Sequence, residues 1–147
     1  MTRDILTEVH DTLTIQKLKA EYITAADALV DPASGAAEKL TRLFMAEAKG
    51  DYLNAPLNGR DAIVGFLADA IAANNDWLWH SISSPRIDVR DDTATGDWTI
   101  MVKLKATGSS VINTLIGRYS DEFRRTAEGW LISSIRFTQE AHEHSSE

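Results

Sequence analysis

Three residues of this 147-residue chain combine chemistry with a setting that would let them use it: His80, Asp27 and Tyr22. His80 stands in the run Trp77-Leu78-Trp79-His80, on the same alternating face as Leu78 and Ile82. An imidazole changes charge near neutrality and can take a proton from carbon as a general base. Among large apolar neighbours it can equally be a core histidine with both nitrogens hydrogen-bonded. Asp27 is of the type that orients such a histidine, fixes its tautomer and offsets the imidazolium charge. At about 100° per residue, Asp27 lies beside Ile23 at the edge of an apolar helical stripe, where it can reach inward or stay in solvent. Tyr22, in the middle of that stripe, can pack or can donate its phenolic proton to a substrate oxygen.

The elements that must position these groups come in two kinds. In the first half, Ile15, Leu18, Tyr22, Ala26 and Leu29 recur at helical spacing. Thr12 or Thr14 can cap that helix, and Asp31-Pro32 stops it, because the residue before proline avoids helical dihedrals. A second short helix carries Leu40, Leu43 and Phe44; residues 49–54 read as a strand. Asn58-Gly59 then turns into a third helix with Ile63, Phe66, Leu67 and Ile71 inward. From Trp77 the period changes to two, predicting long strands over 77–90, 93–107, 110–125 and 129–138. Asp91-Asp92, Gly108-Ser109 and Ala127-Glu128-Gly129 supply the turns, which implies antiparallel hairpins. Helices first and a meander afterwards predict an α+β cone, one domain over residues 1–147, with a polar, frayed tail from about residue 140.

Alternation assigns the faces of the sheet. Trp98, Ile100, Val102 and Leu104 share one side, with Thr99, Met101, Lys103 and Lys105 opposite. Val111, Asn113, Leu115, Tyr119 and Phe123 form the apolar set of the next strand, with Asn113 its polar member. The reverse parity would bring Lys103 or Lys105 inward. Either way one face is apolar enough to pack on helices or to line a pocket.

Composition excludes several classes. The net charge of -7 opposes nucleic-acid phosphates, and the basic runs are short pairs such as Arg124-Arg125. With no cysteine there is no thiolate nucleophile, disulfide or cysteine-held metal. The start Met1-Thr2-Arg3-Asp4 lacks a signal-peptide pattern, and no apolar run would span a bilayer, so a cytoplasmic protein is expected. His142 and His144, between Glu140 and Glu143, can touch a metal but read as part of an acidic, solvated tail. No glycine pattern of a phosphate or nucleotide loop is present.

The segment from Ile15-Gln16-Lys17-Leu18 through Tyr22 to Asp27, with Leu43-Phe44, Asn58-Gly59-Arg60-Asp61-Ala62-Ile63 and Trp79-His80, resembles the SnoaL-like group of the nuclear-transport-factor-2-like superfamily. Gly117-Arg118-Tyr119-Ser120-Asp121-Glu122-Phe123 and Gly129-Trp130-Leu131-Ile132 are similar to its last two strands. The resemblance covers nearly the whole chain and implies a cone-shaped, cystatin-like fold. Within the group it is nearest to scytalone dehydratase, bile-acid dehydratases and hexachlorocyclohexane dehydrochlorinase, which use a first-helix aspartate and a first-long-strand histidine without a cofactor. By that resemblance Asp27 and His80 are the dyad, and Tyr22 matches a pocket-lining position. Trp79, Trp98, Val102, Leu104, Tyr119 and Asn113 are then the candidate substrate-binding residues. One departure stands out: the dehydratases carry a further histidine or aspartate on the next long strand, where this chain has only the apolar stripe.

The resulting expectation is a cofactor-independent, metal-free lyase or isomerase acting on a small apolar ring compound in an enclosed pocket. The alternatives are a non-catalytic module of the same fold that binds a hydrophobic ligand or a protein, and a polyketide-cyclase-like enzyme. The resemblance also implies a homodimer or homotrimer through the sheet's outer face, where Thr99, Met101, Ile112 and Ile116 lie.

Overall fold

The computed structural model describes residues 4–145. Helix α1 runs Ile5–Ala28, a 3₁₀ turn Pro32–Ser34 follows, and α2 is Ala36–Thr41. Strands β1 (Phe44–Tyr52) and β2 (Pro56–Asn58) precede α3 (Arg60–Gly65), which continues through a π-helical stretch Phe66–Ile71 and a 3₁₀ turn Ala72–Asn74. Four long strands complete the chain: β3 Asn75–Arg90, β4 Thr93–Ala106, β5 Asn113–Thr126 and β6 Gly129–His144. They form one six-stranded sheet in the order β2-β1-β6-β5-β4-β3. The helices pack on its concave face.

The helical stripe is buried as its spacing predicts: Ile15, Leu18, Tyr22 and Ala26 are all in the core. Burying such aliphatic or aromatic side chains contributes on the order of 1.5–3 kcal/mol each. The start of α1 differs from expectation. Thr12 and Thr14 do not cap it; their hydroxyls bond back to the carbonyls of Glu8 and His10 within a helix that already began at Ile5. That first stretch carries Ile5, Leu6, Val9 and Leu13 on exposed positions, so no buried stripe announces it. At the other end Asp31 is extended as a residue before proline must be, and its carboxylate caps the 3₁₀ turn by accepting from the Ala33 N–H.

Three further expectations change. Leu43 and Phe44 follow α2 rather than belonging to it, and Phe44 opens β1, which is longer than the predicted 49–54 strand. β1 pairs with β6 in parallel, so the sheet is mixed rather than wholly antiparallel. β6 continues past Thr138 to His144, still paired with β5, where a frayed tail is predicted. Its last residues are exposed and mostly polar, so hydropathy hides the strand; backbone pairing sustains it, with side-chain bonds from Arg118 to Glu140 and between Asn113 and His142. The ladder slips beside Gly117, where a Cβ would lie 2.0 Å from the Thr138 carbonyl oxygen. Only glycine admits that close approach, and the bulge sets the register of everything from Ala141 onward. Among the described residues no helix is long and apolar enough to cross a membrane.

Candidate active site

α1 crosses the concave face antiparallel to β5 and meets the sheet with three charged side chains. Near its start, Asp11 accepts two hydrogen bonds from the Arg125 guanidinium, at 3.0 and 2.7 Å, and one from the Trp130 indole at 3.0 Å. Mid-helix, Lys19 donates to Asp121 at 2.6 Å, both side chains fully buried. In its last turn, Asp27 meets His80.

The Asp27–His80 contact is bidentate in kind. One carboxylate oxygen lies 2.5 Å from the imidazole Nδ1, and the other accepts the backbone N–H of His80 at 3.1 Å. Holding both the ring and its own peptide leaves the carboxylate little rotational freedom and fixes the ring's orientation. With Nδ1 engaged, Nε2 is the nitrogen left over, and among the described residues it has no hydrogen-bond partner. Both side chains remain partly open, 24% for Asp27 and 10% for His80. Across the sheet His80 pairs with Val102 and Val102 with Leu115, so an apolar floor lies beside the imidazole on the same face.

Tyr22 is fully buried, and its hydroxyl is engaged elsewhere, 2.7 Å from the Tyr52 hydroxyl and 3.3 Å from that of Tyr119. No hydrogen bond joins it to the dyad. Burial pushes all three phenols well above their ordinary range, so they act as neutral hydrogen-bonding groups. Lys19 Nζ sits 3.5 Å from the centre of the Tyr119 ring, a cation–π contact inside the same cluster. Burial raises the Asp121 carboxyl to about 6 even though Lys19 draws it down, and burial lowers the Lys19 ammonium.

Of the candidate lining residues, Trp98, Val102 and Tyr119 are buried on the inner face and Leu104 is partly buried beside them. Trp79 is a correction: alternation from His80 turns it to the outer face, where it is 42% exposed. Asn113 starts β5 at the rim, its side-chain oxygen 3.2 Å from His142 Nε2. Lys103 and Lys105 pair with Trp79 and Trp77 on the outer face, so neither enters the interior. Behind the dyad lie the buried tyrosine cluster and the Lys19–Asp121 pair. A separate groove of about 690 Å³ lies between α1 and α2, lined by Ala20, Thr24, Ala28, Lys39 and Arg42 among others.

Lys19 and Asp121 escape the sequence reading, although the signals are there. Lys19 falls one turn after Ile15 within the apolar stripe, and Asp121 has the parity of Tyr119 and Phe123. Among the described residues no group of three or more histidines or carboxylates could hold a metal ion.

The profile of the SnoaL-like domain matches residues 7–136, most of the chain. The chain belongs to the SnoaL-like domain family. No curated protein matches the SnoaL-like chain in sequence. Its fold is that of many solved structures. A type 2 hexachlorocyclohexane dehydrochlorinase superposes with TM-score 0.85 at 12% identity, over 97% of this chain and 94% of that one. A candidate scytalone dehydratase of Novosphingobium aromaticivorans gives TM-score 0.79 at 21% identity, over 94% and 87%. A nuclear-transport-factor-2-like protein with a cystatin-like fold from the same organism gives 0.69 at 24%, over 95% and 92%. At these identities the likeness establishes the α+β cystatin-like fold of this SnoaL-like domain and leaves its reaction to its own residues.

Proposed function

We propose that this SnoaL-like chain is a cofactor-independent lyase or isomerase that removes a proton from carbon on a small apolar ring compound. The observation that carries this reading is the doubly held Asp27–His80 pair with an uncommitted Nε2 beside an apolar floor. His80 Nε2 takes the proton; Asp27 keeps Nδ1 protonated and balances the charge that appears on the ring. The negative end of α1 lies on the same side and favours that cation further. Tyr22, locked to Tyr52 and Tyr119, serves as part of a neutral polar wall behind the pair, and Tyr119 is the member whose ionisation the Asp27 charge opposes. Trp98, Val102 and Leu104 contribute the apolar lining. The names of the dehydrochlorinase and of the candidate scytalone dehydratase, both of this fold, support elimination as the reaction class. A cytoplasmic setting is part of the same reading.

His80→Ala, assayed by deuterium wash-out and product formation over a panel of hydroxylated and halogenated ring compounds active with the wild type, should abolish turnover while circular dichroism stays unchanged. Full activity in that variant would falsify the assignment. A second reading, a module that binds without reacting, draws on the separate groove between α1 and α2. Wild-type protein that binds such compounds yet exchanges no carbon-bound proton would favour it.

Self-association through the outer sheet face completes the proposal. Trp77, Trp79 and Met101 are exposed there at 39%, 42% and 37%, more aromatic surface than a solvated face ordinarily presents. Light scattering at micromolar concentration should report a dimer or trimer, and Trp79→Glu should shift it to monomer.

A further inference from the structure

The polar character of the concave face does not end at the dyad. Register places four residues in one row across the sheet: His80 on β3, Val102 on β4, Leu115 on β5 and His142 on β6. Directly paired residues share a face, so His142 stands on the same side as His80. The next row outward runs Leu78, Leu104, Asn113 and His144. The hydrogen bond between Asn113 and His142 is the diagonal contact that this common face allows, and the His142 and His144 rings are 6.4 Å apart. The bulge beside Gly117 brings this about, because the extra residue opposite it restores inward parity to His142 and His144.

The Asn113 carbonyl oxygen accepts from His142 Nε2–H, which leaves Nδ1 as an acceptor with no hydrogen-bond partner among the described residues. Three strand spacings separate His80 from His142, at most about 14 Å between the inward rings because the face is concave. A hydrogen-bond-length contact of about 3 Å at each end leaves at most about 8 Å, room for a ring compound lying on the Val102–Leu115 floor.

We propose that His142, braced by Asn113, is the far polar wall of the substrate site and binds a hydroxyl on the end of the ring compound remote from the carbon that His80 deprotonates. The inference rests on the dyad reading and specifies the substrate class: an apolar ring body with a hydrogen-bond donor at one end. It also answers the departure noted in the sequence. The polar group absent from β4 is supplied by the end of β6, across the face.

The test uses the full chain labelled with ¹⁵N-histidine and two probes, 2-naphthol and naphthalene. 2-Naphthol should move the ring signals of both His80 and His142, and naphthalene that of His80 alone. His142→Ala should weaken 2-naphthol binding about tenfold, one hydrogen bond's worth, and leave naphthalene unchanged. Asn113→Ala should weaken it less. His142 is exposed, so neither change threatens the fold. If His80 responds while His142 stays still, or if His142→Ala weakens both probes equally, the proposal is overturned and the dyad reading stands. If neither histidine responds to either probe, both are overturned.

Discussion

Two contacts between α1 and the sheet are built from the same kinds of group and end in opposite roles. Lys19–Asp121 is sealed at 0% exposure for both side chains, short at 2.6 Å, and ringed by Tyr22, Tyr119 and Trp98. Asp27–His80 lies two turns further along the helix, equally short, but partly open and with one nitrogen unspent. Complete burial makes the first pair a fixture: Asp121 Oδ1 lacks a hydrogen-bond partner among the described residues, yet no ligand can reach it, and the cost of desolvation is offset by mutual attraction, a backbone hydrogen bond from Arg136 and the aromatic cage. Partial exposure with a free valence gives the second pair something to react with. Hydrogen-bond length does not separate them; access does.

The comparison breaks first at the open pair. Asp27→Asn should cut turnover by roughly 10²–10⁴-fold, because an amide cannot balance the imidazolium and its NH2 must face one of the two donors that Asp27 now accepts, Nδ1–H or the His80 backbone N–H. The same change should cost little stability, and a steady-state assay beside a urea titration reads both. Should Asp27→Asn unfold the protein and leave activity per folded molecule intact, the two pairs are alike and the distinction is void.

The sealed pair should behave in reverse. Lys19→Met strands a carboxylate in the core and should cost about 3–5 kcal/mol at neutral pH, whereas Lys19→Met with Asp121→Leu should return to near wild-type stability. Chemical denaturation of the single and double variants decides it; a double variant as unstable as the single one would refute the account.

A subtler expectation concerns pH. In the folded state Asp121 sits at about 6, above the ordinary carboxyl value of 3.8, because burial outweighs the pull of Lys19. The folded chain therefore holds this proton more tightly than the unfolded one. The stability this group contributes is fully present below pH 3.8 and is lost as pH rises through about 6. Lys19→Met removes a downward pull, so its carboxyl should titrate still higher, and the cost of the substitution should shrink as pH is lowered. Carboxyl NMR of Asp121 measures the shift; an unchanged midpoint in the variant would count against the pairing.

The smallest effect belongs to the tyrosines. Tyr119→Phe removes a 3.3 Å contact and should cost about 1 kcal/mol with turnover nearly unchanged. A large loss of turnover instead would move the tyrosine cluster from the sealed region to the reactive one.

Much of this architecture is legible in the chain. The stripe Ile15, Leu18, Tyr22 and Ala26, the alternation of Trp98, Ile100, Val102 and Leu104, and the turn residues Asp91-Asp92 and Ala127-Glu128-Gly129 are local patterns. Local patterns suffice to specify elements, their buried faces and the pairing of adjacent hairpin strands. The same periodicities put Asp27 near the inner edge of its helix and His80 on the inner face of its strand. What local pattern cannot carry is coincidence in space. That Asp27 meets both the ring and the peptide of His80, 53 positions later, depends on where α1 lies across the sheet. That Lys19 finds Asp121, and that the Tyr22 hydroxyl meets those of Tyr52 and Tyr119, depends on the same crossing. The parallel pairing of β1 with β6 joins strands far apart in the chain, and β6 past the Gly117 bulge is held by backbone bonds that leave no hydropathic trace. Side-chain period reports how each residue faces its own element, whereas long-range packing decides which residues those faces bring together.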